Sequence, residues 1–382
     1  MATETIGIIV HGATGRIAST QHLQNALVPI RREGGLAIGE ERVLPRLILV
    51  GRDAARLGGL AKAHDVADWS TDLDAVLADP AFGVFFDAAA THQRPEVLAR
   101  AIAAGKHVYA EKPLATSVEQ GAELRRAAEA RGLCHGAVED KIHLPGLHKL
   151  ARLAADGFFG RIVQFRLEFG WWVFDGIEVP AQRPSWNYRR AAGGGLILDM
   201  YPHWRYIIEG IIGRIVRVVS AGWTATPERV DERGARYPVD VEDSCATLVE
   251  LADGARGVIL SSWATRVRRD DLLTLQVDGT DGSALAGLHR CWTQAGRESP
   301  RVAHFSVAKD LGIDYRADWS EVAAAGPYHN PYRVGWEAFL RHVVAGTPFS
   351  STFAAGIRDV ELAAACYRSM EEERWVKLDA PL

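Results

Sequence analysis

Short apolar runs alternate with amphipathic segments over the first third of the chain, the pattern of parallel strands joined by crossover helices. Ile6–Val10 predicts the first strand and Arg46–Val50 the second. Gly83–Ala89, His107–Ala110 and Leu133–Val138 predict three more. Pro95–Ala104 and Ser117–Arg131 carry helical spacing. The second of these opens on a Ser-x-x-Gln capping box, and Gly105 closes the first as a C-cap would. Residues Gln21 to Pro45 read as a long first crossover, a surface insertion broken at Gly34-Gly35, with a role covering a cofactor as the alternative.

Beyond about residue 140 alternating apolar and polar positions take over. Ile162–Phe169, Val216–Thr226, Ala246–Ala252, Gly257–Ala264 and Leu272–Asp278 predict strands, with turn chemistry at Asp278-Gly279 and Asp281-Gly282. A helix at Leu196–Gly210 falls between the first two strands, and Pro331–Ala345 and Phe353–Glu373 predict two late helices. This is an α+β pattern on a mostly antiparallel sheet. The chain therefore divides into residues 1–140 and 141–382, each long enough for its own core.

Composition narrows the classes. The chain has 382 residues, 48% hydrophobic and 24% charged, with a formal net charge of −4. That mild acidity gives no electrostatic case for nucleic acid or an anionic membrane as a partner. No apolar run approaches the roughly 20 residues that a spanning helix requires, and Met1–Thr5 lead straight into an apolar strand without a secretory pattern. Cys134, Cys245, Cys291 and Cys366 are scattered without C-x-x-C spacing, so they read as small apolar residues, and no metal is expected. A reducing cytoplasm is the simplest compartment. Only seven of the 44 basic residues are lysines, so a lysine in an apolar setting stands out.

Three segments carry chemistry. Gly12-Ala13-Thr14-Gly15-Arg16-Ile17-Ala18 follows the first strand with G-x-x-G-x-x-A spacing. Glycines there let the backbone approach a pyrophosphate, while a helix N-terminus offers N–H groups to its charge. At the end of the second strand, Gly51 takes the usual place of an acidic ribose acceptor, and Arg52 follows it. An arginine there suits a 2′-phosphate, so NADP is favoured. Asp53 keeps NAD as the alternative. Ala89 and His92, after the third strand, and Glu111 and Lys112, after the fourth, complete the expected cofactor contacts.

Glu111-Lys112-Pro113 follows a short strand at a carboxyl end, where open α/β sheets place ligands. Lys112 beside a cationic nicotinamide could hydrogen-bond a reacting oxygen. The third segment runs Gly193-Gly194-Gly195-Leu196-Ile197-Leu198-Asp199-Met200-Tyr201-Pro202-His203. Its aspartate and histidine lie four apart, on one helical face. The histidine can take a hydroxyl proton near neutral pH with a carboxylate to support it.

With these motifs the chain resembles the glucose-fructose oxidoreductase/inositol dehydrogenase/rhizopine-catabolism (Gfo/Idh/MocA) family over essentially its whole length. That resemblance implies an N-terminal Rossmann domain and a C-terminal α+β domain for substrate binding and oligomerisation. It implies Lys112, Asp199 and His203 as the catalytic group, a cis Lys112–Pro113 bond, and an open sheet face that forms homodimers or homotetramers. The implied reaction is hydride transfer between NAD(P) and a secondary alcohol or ketone of a sugar, sugar derivative or cyclitol. Two alternatives remain: transient oxidation by tightly held NAD in a glycosidase or lyase, and a dinucleotide-sensing regulator. Glu139-Asp140-Lys141-Ile142-His143 departs from the family's arginine-centred segment, which makes Lys141 and His143 candidate substrate contacts. Trp172 and Arg189 are two more; Trp171, Trp186 and Trp204 flank the same helix in sequence, and His329 and Asn330 precede a late helix.

Overall fold

A computed structural model of the chain describes residues 3–265, 271–299 and 317–378, with Trp172 described by its backbone only. Two units emerge, one of residues 1–143 and 329–364 and one of residues 144–328 and 365–379.

The first unit is a seven-stranded sheet of β1 (Thr3–His11), β2 (Leu36–Ile38), β3 (Glu41–Val50), β4 (Asp68–Ser70), β5 (Val84–Asp87), β6 (His107–Ala110) and β7 (His135–Ala137). The order is β3-β1-β5-β6-β7, all parallel, with β2 and β4 both pairing with β3. Only β2 runs antiparallel, closing a hairpin on β3. Ile8, Ile9 and Val10 are all fully buried, as strands covered on both faces require. The crossovers include α1 (Val28–Arg32), α2 (Ala54–Ala63), α3 (Leu73–Ala78), α4 (Arg94–Ala103) and α5 (Val118–Glu129). Asp53, Asp72 and Ser117 each accept an N–H from three residues on, satisfying a free donor at the start of α2, α3 and α5.

Residues 21–45 are not a surface insertion. Ile17–Leu27 is π-helical and runs into α1. The wider i→i+5 turns put residues four and five apart on one face. Ala18, His22, Leu23, Ala26 and Leu27 are all buried there. Gly34 and Gly35 then turn the chain with φ of 81° and 94°, a conformation that glycine alone adopts without strain. A side chain at Gly35 would also meet the Val43 carbonyl oxygen at 2.6 Å.

The second unit holds α6 (Pro145–Ala155), α7 (Leu196–Ile211) and a nine-stranded sheet. Its strands are β8 (Ile162–Gly170), β9 (Ile215–Trp223), β12 (Ser244–Leu251), β13 (Arg256–Ser262), β14 (Leu273–Gly279), β15 (Gly282–Ala286), β16 (Cys291–Ala295), β17 (Ser320–Glu321) and β18 (Val376–Lys377). The sheet order is β17-β16-β15-β14-β8-β13-β12-β9-β18. Only β13 and β8 pair in parallel. β10 (Glu228–Val230) and β11 (Arg236–Pro238) form a separate hairpin. The outward face of β9, β12 and β13 exposes Trp223, Leu248 and Leu260 by 46%, 52% and 40%, with Arg217 and Arg256 paired to Glu250 on the same strands.

One expected boundary is corrected. Helix α8 (Pro331–Ala345) belongs to the first unit, and α9 (Phe353–Glu372) is divided between the two. Trp336 and Phe339 of α8 are fully buried, with Trp336 against Phe86 at 5.1 Å and Phe339 stacked on Tyr109 at 4.6 Å. Aromatic burial of this kind joins segments whatever their separation in sequence. Asn330, a candidate site residue, caps this helix by accepting the Tyr332 N–H at 3.0 Å.

Gly7 in β1 tests the packing of the first unit. A Cβ there would lie 1.9 Å from the Ala81 carbonyl oxygen and 2.6 Å from the Phe82 Cα, both backbone atoms. Gly7→Ala should cost about 1–3 kcal/mol or more, as overpacking does. Thermal melting is the check, and an unchanged midpoint would contradict the close approach.

Candidate active site

In the first unit the expected cofactor residues share one sheet edge. His11 ends β1 in register with Val50 of β3 and Asp87 of β5, and Asp87 is in register with Ala110 of β6. Gly12, Gly51, Ala88 and Glu111 are the next residues on these strands, so all leave the sheet along its carboxyl edge. β1 has β3 on one side and β5 on the other, the point where strand order reverses and α/β sheets bind ligands. Gly12 has φ of 72°, and a Cβ on it would sit 2.8 Å from the Ala89 nitrogen. The Gly15 N–H closes the turn on the Gly12 oxygen at 2.9 Å, and the Ala13 N–H ties it to Val50. Gly15 and Arg16 are exposed, while Thr14 and Ile17 are half-buried.

Asp87 anchors this edge. It is fully buried; one oxygen lies 2.7 Å from His11 Nδ1 and the other accepts Arg94 Nε at 2.8 Å. Burial alone would push its pKa up, but the His11 hydrogen bond and the Arg94 charge outweigh this and hold it below the usual carboxylate value. Arg94 also donates to the Pro113 and Ala89 carbonyls, joining both loops to the same charge.

Gly51 is half-buried and Arg52 exposed. Asp53 is engaged as the α2 cap, accepting the Arg56 N–H at 3.0 Å. Arg56, which sequence reasoning missed, donates from its guanidinium to the Thr14 carbonyl at 3.1 Å. The exposed side chains of Arg16, Arg52 and Arg56 make a donor set suited to a dinucleotide's phosphates. Ala89 is half-buried and His92 exposed after β5.

Glu111 is buried and Lys112 half-buried, and the Lys112–Pro113 bond is cis. Glu111 Oε1 lies 2.8 Å from His22 Nε2, and Oε2 accepts the Lys112 N–H at 3.0 Å. Lys141 and His143 form a single turn that belongs to this first unit. Lys141 Nζ is 3.2 Å from Asp140.

In the second unit α7 carries Asp199 and His203. Its N-terminus explains the three glycines. Gly193 and Gly195 have φ of 75° and 131°, and a side chain on Gly194 would strike the Asn187 oxygen at 2.4 Å. Glu242 supplies the cap, its Oε1 accepting the Ile197 N–H at 2.9 Å and the Tyr367 hydroxyl at 2.8 Å. Asp199 pairs with Arg183, whose guanidinium lies between Phe174 and Trp263, 4.9 Å and 5.1 Å from the ring centres. His203 is buried, with the Tyr206 hydroxyl 2.6 Å from its Nδ1.

Other candidates have different company. Arg189 is exposed and stacks on Tyr237 at 4.6 Å. Trp204 is fully buried and donates to Ser261, a core role, whereas Trp186 is 48% exposed. The Trp172 side chain lies outside the described residues. Among the described residues no His, Cys, Asp and Glu cluster could hold a metal ion, and no helix is long and apolar enough to cross a membrane.

Residues 6–137 match an oxidoreductase family model with an NAD-binding Rossmann fold, and residues 147–285 match the GFO/IDH/MocA C-terminal domain. The chain belongs to the GFO/IDH/MocA oxidoreductase family. It is 43% identical over 381 residues to D-xylose dehydrogenase of Paenarthrobacter nicotinovorans, covering 98% of each chain. Levoglucosan dehydrogenase of Pseudarthrobacter phenanthrenivorans is 26% identical over 348 residues, 85% of each. A solved levoglucosan dehydrogenase with NADH and levoglucosan superposes with a TM-score of 0.80 at 21% identity, covering 99% of this chain and 100% of that one, which bears on the fold alone.

Of the residues missed by sequence, Tyr206 had a local signal, three positions after His203 on the same helix face. His22, Arg183 and Glu242 had none. His22 is 89 residues from its partner Glu111, and Glu242 is 45 from Ile197.

Glu242 yields a pH test. Burial outweighs its hydrogen bonds and raises its pKa. A raised carboxyl pKa means that stability from this group is full at low pH and declines as pH rises through the folded value. Glu242→Gln keeps the acceptor oxygen without the charge. Its melting midpoint should gain on wild type as pH rises from about 4 to 7, and a gap independent of pH would refute the burial argument.

Proposed function

We propose that this GFO/IDH/MocA oxidoreductase is an NADP-preferring dehydrogenase that oxidises a secondary alcohol of a free or anhydro sugar, or of a cyclitol. The observation that carries this reading is Lys112, one residue past the buried Glu111, on the sheet edge that carries the glycine turn. Relatives named for D-xylose and levoglucosan support the substrate class. We further propose a homodimer or homotetramer formed through the outward face of β9, β12 and β13, around Trp223, Leu248 and Leu260. A cytoplasmic setting suits four free cysteines.

The bound nicotinamide supplies the hydride acceptor. His203 takes the hydroxyl proton on Nε2. In that tautomer the Nδ1–H donates to the Tyr206 oxygen, 2.6 Å away. Asp199, held by Arg183, supplies negative charge on the same helix face as the imidazolium that forms. Lys112 stabilises the developing alkoxide. Lys141, His143, Trp172 and Arg189 remain proposed substrate contacts.

His203→Ala and Lys112→Met should each lower kcat by on the order of 10²-fold or more with the fold retained. Steady-state assays of D-xylose, levoglucosan and myo-inositol with NADP⁺ and NAD⁺ are the measurement. Near-wild-type rates in either variant would remove that residue's role. Sugar consumption without net reduction of the dinucleotide would instead favour transient oxidation in a bond-cleaving enzyme.

Cofactor preference follows from Gly51, Arg52 and the occupied Asp53. NADP should bind more tightly than NAD by on the order of tenfold or more, through a charge-assisted arginine–phosphate contact. Arg52→Ala should erase most of this preference by weakening NADP alone. Fluorescence titration of both dinucleotides decides it: equal or tighter NAD binding by wild type would overturn the assignment.

A further inference from the structure

His22 lies 89 residues from Glu111 of the Glu-Lys-Pro segment, yet touches it. It is fully buried on the π-helical segment, with its ring 4.3 Å from Phe86 and edge-on to Tyr332 at 4.9 Å. Trp336 Nε1 donates to its Nδ1 at 3.0 Å. An indole nitrogen only donates, so Nδ1 must accept and Nε2 must carry the ring proton. That N–H points at Glu111 Oε1, 2.8 Å away. The other carboxylate oxygen accepts the Lys112 N–H at 3.0 Å, and the Glu111 N–H is tied to the Asp87 carbonyl at 2.8 Å. Both oxygens of Glu111 are thus engaged, one by His22 and one by the backbone of the residue that follows. The carboxylate cannot turn without breaking one of these bonds.

We infer that His22, held in one tautomer by Trp336, is a positioning residue that fixes Glu111 and thereby the direction in which Lys112 leaves the β6 edge. Replacing a buried ionic group by apolar side chains of similar volume is often neutral or stabilising, so stability alone does not account for this trio. What it supplies is a single orientation for a group that must be held within a fraction of an ångström of its productive position. The role rests on the dehydrogenase reading given above.

The test compares His22→Leu, His22→Gln and Trp336→Phe with wild type, using the sugar of the panel that wild type oxidises fastest. Leucine removes the donor. Glutamine's amide can return an N–H near Nε2, and Trp336→Phe frees the tautomer. His22→Leu should lower kcat on the order of 10- to 100-fold, while the dissociation constants of NADP⁺ and NAD⁺ change less than about twofold and circular dichroism stays native. His22→Gln should recover most of kcat, and Trp336→Phe should fall between. In Lys112→Met the further change His22→Leu should add little, because both act through one group. The inference is overturned by wild-type kcat in His22→Leu, by glutamine failing as badly as leucine, or by cofactor affinity falling in step with kcat. If His22→Leu is active while Lys112→Met is not, only the positioning role is lost. If Lys112→Met is itself active, the dehydrogenase assignment of that lysine falls first and the positioning role falls with it.

Discussion

A single buried carboxylate, Asp87, holds the ligand edge of the first unit together. A charge with no access to water is tolerated only when its lone pairs and charge are met, and His11 and Arg94 meet them. His11 brings the end of β1 into the arrangement. Arg94 brings the Pro113 and Ala89 carbonyls. The glycine turn, the loop after β5 and the Glu-Lys-Pro segment are therefore positioned against one anion. Removing Arg94 would leave the charge uncompensated, and removing His11 would take a hydrogen-bond partner from its other oxygen.

The second unit solves a related problem at a helix start. The first N–H groups of α7 have no partners within the helix, and the Gly193–Gly195 run offers no side chain to meet them. Glu242 reaches in from a distant segment to accept one of them. Glycine is needed because the backbone passes against Asn187 on one side and the Glu242 carboxylate on the other. The result is a helix that presents Asp199 and His203 from a fixed end. Arg183 pairs with the first of those side chains and the Tyr206 hydroxyl lies against the second.

Much of this was legible from local pattern. Strands such as Ile6–Val10, His107–Ala110 and Ile162–Phe169 lie within observed strands, because uniform burial or strict alternation leaves a direct mark on sequence. The Ser117 and Gly105 helix signals coincide with an observed cap and an observed φ of 76°. Residues 21–45 depart from the expected insertion because buried positions on an i→i+5 helix fall four and five apart and not at the usual apolar period. The helix Pro331–Ala345 was found but assigned to the wrong unit. Periodicity tells that an apolar face exists, not which surface it covers.

The sequence by itself determined the family, the two kinds of sheet and the three motifs, since each depends on residue types at short, fixed spacing. Tertiary structure alone decided the partners of those motifs: His22 and Trp336 around Glu111, Arg183 on Asp199, Glu242 beneath α7, and Arg94 across Asp87. These partners come from distant segments, and buried polar groups are satisfied by whatever donor the packing delivers, wherever it lies along the chain.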